Sequence, residues 1–179
     1  MGGPGSGKST LAKRLAGMLG ERAYDLDEIA YQRGAGPKRS LATRRADVAR
    51  IAETPGWVTE GIYLWWCEPL ARGADMLVWL DVPWRVAVAR IIRRHVVLSL
   101  AANNPHRGVI KLARFVWETR RYYLAREPEP RVDDADDGAV SRIATRDWLG
   151  PYATKVRRCR GQGDVERVLA ELSTCGAGD

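Results

Sequence analysis

The stretch Gly2-Gly3-Pro4-Gly5-Ser6-Gly7-Lys8-Ser9 constrains this chain more than any other. It matches G-x-x-x-x-G-K-[ST], in which glycines let successive backbone N–H groups turn inward around an anion. A helix opening directly behind such a loop aims its N-terminus at the same anion. Residues 9–19 supply that helix, with Leu11, Ala12, Leu15, Met18 and Leu19 on one apolar face and Gly20 as its stop. In a loop of this kind Gly3, Pro4, Gly5, Ser6, Gly7 and Thr10 wrap the phosphates. Lys8 reaches the β- and γ-phosphates, and the Ser9 hydroxyl ligates Mg²⁺. The expected ligand is a nucleoside triphosphate with Mg²⁺. The guanine-selective N/T-K-x-D pattern is absent, which favours ATP.

Such a loop follows a buried strand, and only Met1 stands before Gly2 here. Without that strand its neighbours keep unpaired backbone groups, each costly when buried. The expectation is a chain truncated at its N-terminus. An intact, well-packed central sheet would overturn it.

Downstream, strands are predicted at residues 23–26, 57–59, 76–80 and 155–159. Helices are predicted at about 40–53, 64–72, 84–102 and 107–126, then from Thr145 to Leu149, with a last helix of about nine residues capped by Asp164. Strands alternating with helices predict an α/β protein with a mostly parallel sheet. Carboxylates stand at the predicted strand ends: Asp25 and Asp27, then Glu60, then Asp81. Ligands of open α/β sheets bind at the carboxyl ends of strands. Asp27 and Glu60, with the adjoining Gly61, are the candidates for holding an acceptor; Asp25 and Asp81 read more readily as caps or ion-pair members. Arg90 and Arg94 are four apart on one helix face, so both can act on one ligand as a phosphoryl group moves. Trp65 and Trp66 follow Glu60, where a base could stack, although core packing is the commoner use of such rings.

The net charge of +7 is unevenly spread. Residues 84–126 carry nine Arg and one Lys against Glu118, and residues 127–137 carry six acids against Arg131. The first region suits a polyphosphate or a nucleic acid. The proline-rich acidic segment 127–139 reads as a mobile loop. Cys67, Cys159 and Cys175 show no metal-ligand spacing and read as reduced thiols. No apolar run reaches the ~18 residues of a membrane span, and a cytoplasmic protein is expected.

The segments GGPGSGKSTLAKRLA, YDLDEIAY, WVTEGIY, MLVWLDVPWRVAVARIIRR and TRDWLGPYATKVRRCR resemble the adenylate-kinase-like P-loop NTPase family, in particular its members labelled DNA topology modulation proteins. The resemblance spans about Gly2 to Leu172. It implies a single P-loop kinase-like domain over residues 1–172 with a frayed tail at 173–179. It also implies a three-layer α/β sandwich with a parallel sheet of order 2-3-1-4-5, its first strand missing here. The implied activity is transfer of the γ-phosphoryl group of ATP to a nucleotide-like or other small acceptor. By position, Arg90 and Arg94 match the R-I-x-x-R arginines, the first near the donor adenine and the second near the phosphates. Asp27 and Glu60 would border the acceptor, and Gly161 and Gln162 would lie near the adenine. Long helices over 84–126 stand where those kinases carry a short lid. The competing reading is a nucleotide-switched nucleic-acid-binding or regulatory ATPase, drawn from the same basic helices.

Overall fold

The computed structural model describes residues 1–100 and 108–175. It is a mixed α/β structure with two small parallel sheets. Behind the glycine loop, α1 (Lys8–Leu19) ends where Gly20 turns left-handed, at φ 70°, and its N–H reaches the Ala16 carbonyl. Glycine takes this conformation without steric cost. Then come β1 (Ala23–Asp25) and the short α2 (Leu26–Ala30). Asp25 caps α2 by accepting the Asp27 N–H. The expected strand over 23–26 is therefore one residue shorter, because Leu26 already belongs to a helix.

Ser40 caps α3 (Leu41–Ala52) by accepting the Thr43 N–H. A turn leads to β2 (Val58–Glu60), and a single 3₁₀ turn at Trp65–Cys67 precedes α4 (Glu68–Gly73). The apolar run then gives β3 (Leu77–Leu80). Pro83 lies just ahead of α5 (Trp84–Leu100), and its carbonyl accepts from Val86 and Ala87. The expected break at Asn103–Pro105 lies outside the described residues. On the far side, α6 covers Val109–Leu124.

Three later expectations need correction. The acidic segment is tied down rather than loose: Asp137 accepts from Lys38, Arg44 and Trp66, and Asp134 pairs with Arg45 and Arg131. Next, α7 (Arg142–Leu149) is capped by Ser141, not Thr145, which lies inside the helix and donates to the Ser141 carbonyl. Finally, after β4 (Val156–Cys159), α8 runs Gln162–Cys175, so Ser173 and Thr174 are helical rather than part of a frayed tail. Its first turn includes Asp164, whose carboxylate reaches back to the Arg160 and Gly161 N–H groups.

The sheets are β1–β2 and β3–β4, each parallel. Their ladders are separate. Among the described residues only Met1 and Gly2 join β3 from the loop side: Leu80 N–H donates to the Met1 carbonyl, and Gly2 bridges Leu80 in parallel sense. Between β2 and β3 lies an opening of about 340 Å³, lined by Leu11, Leu15, Val58, Leu70, Val78 and Leu80 among others. One apolar cluster joins α1, β3, β4 and α8 through Leu11, Leu15, Leu80, Cys159 and Leu169. A second, of Leu26, Ile29, Val48, Ile51 and Trp66, builds the β1–β2 side. A third, of Val82, Ala87, Tyr122, Tyr123 and Ala144, packs α5, α6 and α7 together beside the loop.

Candidate functional site

The loop is built by glycines in conformations that other residues resist. Gly5 has φ 77° and Gly7 has φ 97°, and Gly7 occupies the N-cap position of α1. The Ser6 N–H returns to the Gly3 carbonyl, closing the turn. Its back wall comes from α5 and α6. A Cβ on Gly3 would lie 2.4 Å from the Tyr122 ring, and one on Gly5 would lie 2.6 Å from the Ala87 carbonyl. Tyr123 donates its hydroxyl to the Pro4 carbonyl at 2.9 Å. Burial pushes the Tyr123 phenol above its ordinary pKa, so it stays protonated as a donor. Arg90 donates to the Ser6 carbonyl at 2.5 Å. The loop's shape is thus set from behind by Ala87, Arg90, Tyr122 and Tyr123.

The front of the loop offers the groups an anion would meet. Ser9 and Thr10 are exposed in the first turn of α1, and Lys8 is half-buried. Lys8 and Glu60 line the same opening between the sheets. Glu60 is 7% exposed and its Oε2 has no hydrogen-bond partner; Ser6 Oγ, 2% exposed, has none either. Unpartnered buried polar atoms are rare in native proteins and commonly mark an absent water or ion. A carboxylate and a hydroxyl are the oxygen donors that Mg²⁺ takes. Glu60 at the end of β2 and Ser9 at the start of α1 carry oxygens of that kind. Among the described residues there is no cluster of three or more His, Cys, Asp or Glu side chains that could hold a metal unaided.

A second cavity, about 190 Å³, opens on the other side of the loop. Ser6, Thr10, Arg14, Arg90, Gly161 and Gln162 line it. The structure thus brings Arg90 beside Gly161 and Gln162, residues 71 and 72 positions away in sequence. Gly161 has open space around its Cα, whereas Gln162 donates to Glu166. Arg94 lies one turn beyond Arg90 on α5 and is exposed.

On the β1–β2 side, Asp27 is exposed and accepts the Tyr63 hydroxyl at 2.7 Å. Burial, reinforced by the Asp27 carboxylate, raises the Tyr63 pKa and keeps that proton on the phenol. Gly61 is placed by packing: a Cβ there would come 2.8 Å from Leu26 Cβ. Asp25 serves as a cap. Asp81, 3% exposed, is gripped by Arg142 and Arg158. Trp66 is 1% exposed and stacked under Arg44, so its ring belongs to the core. Trp65 carries Arg131 on its face.

Sequence reasoning missed Tyr63, Tyr122 and Tyr123. Two of them sit in a helix more than a hundred residues from the loop they support. A Tyr-Tyr pair on an otherwise basic helix was the one signal present, and nothing local showed what it would touch. No family model matches the chain, and no curated protein does either.

Proposed function

We propose that this chain is a small phosphotransferase of the adenylate-kinase-like P-loop class, binding ATP with Mg²⁺ and passing the γ-phosphoryl group to a nucleotide-like or other small acceptor. The observation that carries the reading is the pairing of a glycine loop with a buried carboxylate: Lys8 and the unpartnered Glu60 oxygen face one opening. In a phosphoryl-transfer site the loop cradles phosphate and a strand-end carboxylate holds the metal or its waters. Mg²⁺ bound by Ser9 and Glu60 would neutralise charge on the phosphate oxygens.

The chain's own groups account for the rest. The loop's inward N–H groups and Lys8 hold the β- and γ-phosphates. Arg90 fixes the loop through the Ser6 carbonyl and borders the cavity that suits the donor base, with Gly161 and Gln162 on its other wall. Arg94, exposed on the same helix, supplies a second positive charge as the phosphoryl group moves. Asp27, held by Tyr63, orients the acceptor from the β1–β2 side. Two separate sheets bearing donor and acceptor groups match the outer strand pairs of a 2-3-1-4-5 sheet, so the three-layer sandwich belongs to this proposal.

The test is transfer of labelled γ-phosphate from ATP across a panel of nucleosides, nucleotides and small metabolites. Transfer to at least one acceptor, lost in Lys8→Ala, supports the proposal. Stoichiometric ATP binding with no acceptor phosphorylated would refute it. The nucleic-acid reading rests on the arginines of α5 and α6. Two of these, Arg114 and Arg121, are already paired with Glu118 and Glu129. Salt-sensitive binding of duplex DNA without any acceptor turnover would favour it over the kinase.

A further inference from the structure

Helix α6 carries a second apolar face that the protein itself does not cover. Most of the large apolar side chains exposed among the described residues lie on α5 and α6, with Met18, Leu19 and Val132 elsewhere. The inward side of α6 is set by Thr119, Tyr122 and Tyr123, which are buried. Ile110, Ala113, Trp117 and Leu124 recur at steps of three, four and seven, so they share one face, turned away from those three. All four are exposed, Ile110 at 86% and Trp117 at 69%. A helix packed on a domain by one stripe ordinarily shows polar residues on the opposite side. Here the opposite side is apolar along its centre.

The borders of that stripe are basic. Arg114 and Arg121 follow one edge, and Arg120 follows the other, its guanidinium 5.1 Å from the centre of the Trp117 ring. With Lys111 the helix has four basic residues against Glu118 alone. Glu118 pairs with Arg114 and Glu129 with Arg121, which still leaves the face positive. This charge decides between occupants. A second copy of the chain would set like charges against one another. A nucleic acid would take the arginines but leave Ile110 and Leu124 facing phosphate. An anionic lipid surface satisfies both: headgroups meet the basic borders, and the acyl boundary takes the stripe, with a tryptophan at the level where such rings settle.

We propose that the outward face of α6 docks the chain on an anionic lipid surface. The helix lies in the plane of that surface with the Ile110–Trp117–Leu124 stripe in the headgroup–acyl boundary. No helix among the described residues is long and apolar enough to cross a membrane. The stripe lines neither of the two openings beside the glycine loop, so it is independent of the phosphoryl-transfer reading.

The experiment is co-sedimentation of the full chain with vesicles of phosphatidylcholine alone and of an equimolar mixture with phosphatidylserine. The mixed vesicles should bind at least about tenfold more tightly at low salt, and less so as salt rises. Ile110→Ser with Trp117→Ser should weaken that binding by about tenfold or more, because the lost side chains are the ones that enter the boundary. Lys111→Gln with Arg120→Gln should weaken it by about twentyfold, roughly fivefold per charge removed near the surface. Both double variants should keep the parent Tm. Brominated lipid should quench tryptophan emission of the parent more than that of Trp117→Phe, which should still bind; this reading needs no destabilising change. Equal affinity for the two vesicles, or binding unaffected by the Ile110 and Trp117 changes, would overturn the proposal. So would duplex DNA binding without vesicle binding, or a dimer of the parent that the Ile110 and Trp117 changes dissolve, since each names a different occupant.

Discussion

The glycine loop has two flanks, and they are built in opposite ways. Behind it, α5 and α6 press so close that neither Gly3 nor Gly5 has room for a methyl group. In front, toward β2, it borders an opening of about 340 Å³. A phosphate cradle is usually thought of as hung from the sheet that precedes it. Here its curvature is imposed by side chains from late in the sequence: Ala87, Arg90, Tyr122 and Tyr123. The difference teaches that loop geometry and sheet continuity are separable: the tight flank holds the loop's shape while the other borders an opening.

The contrast can be broken most severely from the tight side. Gly5→Ala adds a Cβ against the Ala87 carbonyl at a φ of 77°, so it should cost about 3 kcal/mol or more in urea unfolding. Gly17→Ala in α1, where nothing lies within 4 Å, should instead gain about 0.5–1 kcal/mol. Equal effects of the two would show that the back wall is not rigid. Lys8→Ala should lower phosphoryl transfer by about a hundredfold or more, the scale of removing one preorganised charge-stabilising group. Its Tm should stay close to that of the parent.

Smaller effects sharpen the comparison. Asp81→Asn leaves Arg142 and Arg158 without their shared carboxylate. Those arginines are 43% and 37% exposed and can turn to water, so about 2 kcal/mol is expected rather than the full cost of a buried pair. Tyr123→Phe strands the Pro4 carbonyl and should cost about 1 kcal/mol while raising the KM for ATP. Tyr63→Phe releases the exposed Asp27, costs less, and should raise the KM for the acceptor instead. A Tyr63→Phe variant that weakened ATP and acceptor equally would mean the two sides are not functionally distinct.

Much of this was legible in the sequence because it is local. The loop pattern, the α1 stripe ended by Gly20, the Ser40 cap and the apolar run of β3 need only a few residues of context. So do the strand-end carboxylates. What could not be read depended on distance. Asp25 and Asp27 look alike in sequence, yet one caps a helix and the other faces solvent beside Tyr63. Composition made residues 127–139 look loose, because acidity and proline argue against self-packing. Their order comes from Lys38, Arg44 and Arg45, which composition within the segment cannot reveal. Arg44 is 2% exposed, and no pattern in α3 marks it as a core residue.

Those pairings carry a mechanical consequence. The acidic segment leaves α6, which braces the loop, and grips α3, which belongs to the β1–β2 side. Among the described residues the two sheets share no ladder, and this charged strap adds to α1, which packs against strands of both. The Asp134 pairs with Arg45 and Arg131 are exposed and weaken as salt rises, whereas Arg44–Asp137 is buried and is screened much less. Salt therefore acts here as a slackening agent for the rim of the strap alone, while its buried centre at Asp137 holds.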